Sequence, residues 1–309
     1  MGTRPTLILG HVLGKSEAYR RGRMRSWRGR VRRRAVRKTR NSVFDGNMIE
    51  TDGSVRARWL GGLAALSICL LAHGTPTDAR DNEIVAAVND TARPESDRSR
   101  DADRKPAATL AFAGVKSGDK VADYAAGAGY FTRLFSNVVG PKGHVYAVVP
   151  SALFVYPNIV KGIGEVQTFA ADHSNVTVTF AAALEGARFP EKLDLFWISQ
   201  NYHDLKDPFM GPVDMAAFNR AVYDALRPGG LYVILDHSAV SGAPADVTDT
   251  LHRIEQSTVR REVEAAGFKL DSESSLLANP ADPRTAGVFD KSIRGHTDQF
   301  ILKFRKPLS

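Results

Sequence analysis

VADYAAGAGYFTRLF, residues 121–135, reads as a short apolar strand that runs into a glycine turn and then into a helix. That order of elements usually holds a nucleotide-like ligand against the backbone of the turn. Two common versions do not fit. A dinucleotide site asks for G-x-G-x-x-G and an acid about twenty residues on, but Thr132 takes the third glycine slot and the second strand ends in Val149-Pro150. A P-loop asks for Gly-Lys-Ser/Thr, and none follows.

Outward from this stretch, apolar runs alternate with helical patterns. Strands are expected at 120–126, 144–149, 176–180, 193–199, 231–235, 268–277 and 299–304. Helices are expected at 130–139, from an Asp214 cap to Leu226, and unbroken over 249–266. Residues 151–170 read as weakly helical, because Pro157, Gly162 and Gly164 interrupt them. Alternation with several continuously apolar strands argues for an α/β fold whose mostly parallel sheet is covered on both faces.

In such sheets ligands bind past the carboxyl ends of the strands, where strand order reverses. Polar residues cluster there. Asp123, Gly127 and Gly129 follow the first strand, Asn201-Tyr202-His203-Asp204 the fourth, and Asp236-His237-Ser238 the fifth. The last two strands are joined by a polar connection, NPADPRTAGVFDKSIRGHTD, with Arg284, Asp290 and Arg294 as its charged candidates. At about twenty residues it far exceeds the usual ~4–6 and suits a lid or substrate wall.

The glycine stretch resembles motif I of class I S-adenosylmethionine-dependent methyltransferases, a hydrophobic-x-Asp/Glu-x-Gly-x-Gly-x-Gly pattern. LRPGGLYVILDH (226–237) resembles the later motif in which R-P-G-G feeds strand five, and LDLFWISQNYHD (193–204) fits strand four. NYHD, DHSA, TLHRIE, EVEAAGF and SIRGHTDQFILKFRKP also resemble a subgroup of signal-peptide-bearing predicted methyltransferases, so the likeness covers residues 105–307. The resemblance implies a Rossmann-like fold with a seven-stranded sheet, an antiparallel last strand and helices on both faces. It implies S-adenosylmethionine as cofactor, held by Asp123, Ala125, Gly127, Gly129, Tyr130 and Asn201. This ligand carries no phosphate, so the turn needs no anion cradle. Asp123 would face its ammonium and sulfonium. The chain departs from the pattern twice: Ala125 stands for a glycine, and Val149 for the acid that grips ribose. A positive φ at Ala125 would cost about 1–2 kcal/mol.

For an O or N acceptor a general base helps, and histidine suits that work near neutral pH. His203 and His237 are the candidates, oriented by Asp204 and Asp236, while Tyr202, His252, Arg284 and Arg294 are expected to touch the substrate. A small molecule is the expected acceptor, since basic clusters are confined to the N-terminus. Two other readings compete: an exported binding module on an eroded methyltransferase scaffold, and a metal-binding protein built on His203, His237, His252 and nearby aspartates. Without H-x-H or H-E-x-x-H spacing, no metal ligand set is expected.

The chain has 42 Lys+Arg against 34 Asp+Glu, but residues 1–47 hold 14 of the basic and 2 of the acidic residues, so the remainder is net acidic. The arginine run is read as a disordered or mis-assigned extension rather than a nucleic-acid arm. Residues 48–74 follow signal-peptide grammar: Arg56 and Arg58, an apolar run from Trp59 to Ala72, then Ala72-His73-Gly74. That run is too short for a comfortable membrane span. The expected location is periplasmic or secreted, with the cytoplasm as the alternative. Residues 75–104 read as a linker and 105–309 as the methyltransferase-like domain. The sole cysteine, Cys69, lies in the apolar run, so the processed chain would have no disulfide.

Overall fold

The computed structural model describes residues 76–181, 189–211 and 213–308. The arginine-rich extension and the signal peptide expected over 1–74 lie outside the described residues. No helix among the described residues is long and apolar enough to cross a membrane.

The expected linker is helical instead. Helices α1 (Pro76–Asn89), α2 (Glu95–Arg98) and α3 (Asp101–Arg104) precede α4 (Pro106–Ala113). Their polar composition hides a set of ion pairs. Arg93 donates to Asp101 in a two-pronged contact of 2.8 Å on each arm, and the buried Arg133 donates to the buried Asp97 at 2.7 Å. Ile84 and Ala87 of α1 are buried in the core as well.

From β1 (Lys120–Tyr124) the chain alternates: α5 (Tyr130–Val139), β2 (His144–Pro150), α6 (Pro157–Asp172), β3 (Val176–Ala181), β4 (Leu193–Ser199), α7 (Met215–Ala225) and β5 (Leu226–His237). The carboxyl part adds α8 (Val247–Leu251), α9 (Gln256–Ala265), β6 (Lys269–Ser274) and β7 (Gln299–Arg305). The Asp214 carboxylate caps α7 as expected, accepting from the Ala216 and Ala217 amides at 2.9 and 3.1 Å.

The strands form one sheet in the order β3-β2-β1-β4-β5-β7-β6. All neighbours are parallel except β7, which runs antiparallel to both β5 and β6. Both faces are covered, and the two-residue period of the strands assigns side chains to them. Ala122, Phe196, Ile198, Tyr232 and Ile234 pack on one face with Phe218 and Val222 of α7 and Val259 and Val263 of α9. Val121, Leu195, Trp197, Val233 and Leu235 pack on the other with α1, α4 and α5. This double coverage explains why the central strands read as unbroken apolar runs.

Two local expectations change. α6 is a full helix, because Gly162 is a packing position and not a breaker: a Cβ there would meet the Ala128 Cβ at 3.2 Å. The helix expected over 249–266 breaks at His252, whose left-handed backbone (φ 52°) separates α8 from α9.

Candidate functional site

Strand order reverses between β1 and β4, which are adjacent although two strands lie between them in sequence. The segments leaving these two strands meet at the carboxyl edge of the sheet. After β1, Ala125 (φ 56°), Gly127 (φ 55°) and Gly129 (φ 86°) turn the chain into α5. The Ala125 and Ala126 amides both donate to the Val148 carbonyl of β2, at 2.8 and 3.3 Å, which fixes the loop. The glycine at 129 is a steric requirement, since a Cβ would sit 2.9 Å from Val166 Cγ2. After β4, Gln200 also takes a left-handed conformation (φ 60°), its amide donating to the Leu235 carbonyl at 2.7 Å.

Two cavities open on this loop. The smaller, about 160 Å³, lies among Asp123, the glycine loop, Tyr130, Arg100 and Arg104. The larger, about 660 Å³, is walled by Leu153, Tyr156, Ile159, Phe209, Val288 and Phe289, with His203, Asp204, His237 and His252 at its floor. They share Ala125, Gly127, Ala128, Gln200 and Asn201, so the loops after β1 and β4 form a common wall. The larger volume falls in the ~300–1,000 Å³ range of sites that enclose small organic ligands.

Charge in the smaller cavity is arranged by burial. Asp123 is 3% exposed and accepts from the Thr132 hydroxyl at 2.6 Å. Burial pushes its carboxyl up to about 7 against that hydrogen bond. Arg104 donates to Gln200 Oε1 at 3.1 Å and stacks 4.6 Å from the Tyr130 ring centroid. Burial lowers its guanidinium to about 10, still cationic at neutral pH, and no carboxylate pairs with it among the described residues. Arg100 approaches the same ring at 5.0 Å, and the Tyr130 hydroxyl donates to Asp101 at 2.7 Å.

In the larger cavity the strand-end residues converge from three elements. The buried His203 is clamped: Nδ1 lies 2.7 Å from Asp236 Oδ1, Nε2 lies 3.1 Å from Asp204 Oδ1, and its amide donates to Asp236 Oδ2 at 2.9 Å. Burial opposes the charged ring, but the Asp236 and Asp204 carboxylates outweigh it and raise His203 to about 10. Burial would also raise Asp204, yet hydrogen bonds from His203, His252 and Asn201 hold its carboxyl well below the usual range. His237 behaves oppositely. Its Nδ1 meets the Thr297 hydroxyl at 2.7 Å, and burial pushes the ring down to about 4, so it is neutral at physiological pH. His252 stands on the rim, Nδ1 at 3.5 Å from Asp204 Oδ1, with its ring edge-on to Phe289. His203, Asp204 and His252 thus bring three ligand-capable atoms within 4.8 Å of one another.

The structure brings Asn201, His203, Asp204, His237 and His252 to one cavity, with Arg294 on its rim and Asp236 beneath His203. Three expectations are corrected. A general-base role does not suit His203, since both ring nitrogens face carboxylates and the ring keeps its proton. Tyr202 does not face a substrate. It is buried in the core, its hydroxyl 3.0 Å from Glu262 and 2.9 Å from the Asn219 amide nitrogen. Arg284 pairs with Asp298 at 3.0 Å beside a separate depression between β6 and β7. The position of the ribose acid is Val149, buried near the end of β2, and Tyr156 and Asn158 are among the polar residues that line the larger cavity. Arg100 and Arg104 were not legible as site residues, because they lie in the segment that reads as a linker.

The residues present fit S-adenosylmethionine at its amino-acid end. A buried carboxyl suits the ammonium, a guanidinium without a carboxylate partner suits the carboxylate, and open backbone at Gly127 allows close approach. No protein-family model matches the chain. Ubiquinone/menaquinone biosynthesis C-methyltransferases do match part of it. That of Saccharophagus degradans is 26% identical over 197 residues, which cover 63% of this chain and 68% of that protein. That of Vibrio vulnificus is 30% identical over 199 residues, covering 63% and 65%. That of Pasteurella multocida is 33% identical over 133 residues, covering 42% and 44%. The chain therefore spans about half to two thirds of the length of these relatives. A solved S-adenosylmethionine-dependent methyltransferase from Aquifex aeolicus matches with a TM-score of 0.43 at 20% identity, over 64% of this chain and 87% of that one. The strand order and the glycine loop at its reversal point give the chain a Rossmann-like methyltransferase fold, and in sequence it is similar to these curated C-methyltransferases, while the residues at the loop fit S-adenosylmethionine as cofactor.

Proposed function

We propose that the protein methylates a small, flat, oxygen-bearing acceptor held in the larger cavity. The observation that carries this reading is the wall shared by the two cavities. An ionic compartment suited to an amino acid opens, past Ala125–Ala128 and Gln200–Asn201, onto an aromatic-lined compartment large enough for a second molecule. The activity for which these relatives are named, C-methylation in ubiquinone and menaquinone biosynthesis, agrees with a ring-shaped acceptor packed by Phe209, Phe289 and Tyr156.

The cofactor supplies an electrophilic methyl group on a sulfonium: the methyl–sulfur bond breaks as a bond to the acceptor forms, and the acceptor loses a proton. The protein's own work is mainly positioning. Arg104 and Asp123 would hold opposite charges of the amino-acid group. Phe209 and Phe289 line the cavity and would pack against the acceptor. Neutral His237 keeps its second ring nitrogen without a partner among the described residues, where it can take a hydrogen bond or proton from an acceptor hydroxyl.

Calorimetry with S-adenosylmethionine tests the reading. Micromolar binding is expected, with Arg104→Gln weakening it by about 1.5–3 kcal/mol, the usual worth of a charged hydrogen bond. Radiolabelled methyl transfer to a panel of hydroquinones and phenols then reads the acceptor class. No heat at millimolar cofactor from the folded chain would leave the non-enzymatic binding module standing.

A further inference from the structure

The floor of the larger cavity carries a feature that methyl transfer does not require. His203 Nε2 is 3.1 Å from Asp204 Oδ1, His252 Nδ1 is 3.5 Å from the same oxygen, and all three atoms lie within 4.8 Å of one another. Ligands bound at ~2.0–2.2 Å around one cation stand about 3–3.5 Å apart, so these spacings already match a first coordination sphere. From these residues, the geometry points to a divalent transition-metal site formed by His203, Asp204 and His252, with its open positions facing the cavity; the cation replaces the proton that His203 Nε2 shares with Asp204 in the metal-free protein, and that proton leaves to solvent.

Four further observations support it. Asp236, wholly buried, holds His203 through the other ring nitrogen at 2.7 Å, which is the carboxylate–histidine arrangement that orients metal-bound imidazoles. The Asn201 amide donates to Asp204 Oδ2 at 2.6 Å, leaving Oδ1 to the cluster. The buried Asp207 places Oδ2 4.0 Å from His252 Nδ1, and neither of its carboxylate oxygens makes a hydrogen bond of normal geometry, the Thr248 hydroxyl being its one weak side-chain contact among the described residues. A buried carboxylate left so is costly unless positive charge sits nearby, and a cation beside His252 would supply it. Lastly, His252 adopts a left-handed backbone, uncommon outside glycine, and from there its ring reaches Asp204 at 3.5 Å and lies 5.5 Å from the His203 ring.

Two imidazoles and a carboxylate on one side of a cation select borderline metals such as zinc, iron(II), cobalt(II) or manganese(II). Magnesium and calcium prefer all-oxygen sets. All three ligands line the cavity, so a bound cation would meet an acceptor oxygen directly and polarise it. That last role rests on the proposed methyl transfer, whereas the metal site itself does not.

The test uses the purified full chain, stripped with chelator and titrated with Co²⁺, read by its visible ligand-field bands and by elemental analysis. Binding of one equivalent is expected. His252→Ala and Asp204→Asn should each weaken it more than ~10-fold, and Asp236→Asn by ~10–100-fold through the orientation of His203. His252 is half-buried on the rim, so His252→Ala tests the ligand without emptying the core. His296→Ala, on an exposed histidine paired with Asp103, should leave binding unchanged. S-adenosylmethionine calorimetry on the same stripped protein keeps the two readings separate, because cofactor binding should survive without metal. Absence of Co²⁺ binding at millimolar metal, or unchanged binding in His252→Ala and Asp204→Asn, would overturn the site.

Discussion

Ala125→Gly tests whether the glycine loop tolerates its alanine or is strained by it. Ala125 sits at φ 56°, so its Cβ carries the left-handed penalty of about 1–2 kcal/mol. Glycine removes that penalty but makes the unfolded chain more disordered, a loss of about 0.4–1 kcal/mol. It also removes a methyl group only partly buried against the core, at most about 0.8 kcal/mol. These terms nearly cancel, so the single variant alone decides little.

The neighbour supplies the contrast. Ala126 is buried to a similar degree but lacks a positive φ, so Ala126→Gly suffers both losses with no relief of strain. Equilibrium urea denaturation should place Ala125→Gly within about 0.5 kcal/mol of wild type and Ala126→Gly about 1–1.5 kcal/mol below it. The difference between the two variants, about 1–2 kcal/mol, is the backbone strain at position 125. Equal destabilisation of both would refute the argument, because it would mean that Ala125 is not held in the left-handed region. Cofactor affinity should be nearly unchanged in Ala125→Gly, since the backbone course is that of a glycine loop already.

Three further outcomes follow from β1 and the loop after it. Asp123 is raised from 3.8 to about 7, so the folded protein binds its proton more tightly than the unfolded chain does, and stability should fall as pH rises from about 4 to about 7. The full span corresponds to about 4 kcal/mol, and Asp123→Asn should flatten it. A bound cofactor cation favours the carboxylate, so the ratio of wild-type to Asp123→Asn affinity should climb with pH up to about 7 and then level. A ratio constant from about pH 5 to about pH 8 would remove Asp123 from the cofactor site. Gly129→Ala combines a φ of 86° with a Cβ 2.9 Å from Val166 Cγ2, so thermal denaturation should show a loss of about 2–4 kcal/mol. Adding Val166→Ala removes the Cγ2 contact but leaves Val166 Cβ and Arg133 Nη1 at 3.1 Å, so it should recover only part of the loss, and a neutral Gly129→Ala would contradict the packing described.

The parts of this fold that are legible from sequence depend on neighbours along the chain. β1, the glycine turn and α5 form one continuous pattern, and R-P-G-G marks the entry to β5 without reference to anything distant. The misread parts depend on partners far away. Gly162 looks like a helix breaker until Ala128 of the loop is packed against it. Arg104 looks like linker charge until Gln200, ninety-six positions on, receives its hydrogen bond. Tyr202 looks like a substrate contact until Glu262 and Asn219 claim its hydroxyl. His252 carries no sequence mark of the break it makes, because TLHRIE contains neither glycine nor proline. Its unusual backbone nonetheless joins those of Ala125 and Gln200, and all three line the larger cavity. Each strained residue is pinned where a regular element ends: Ala125 by the Val148 carbonyl, Gln200 by Leu235, and His252 by the packing of α8 against the turn that bears His203. The sheet's stability maintains these conformations, and they aim backbone and imidazole at one volume. The chemistry at this edge is therefore held by strain distributed over three elements, and a spacing rule applied within any one of them would not find it.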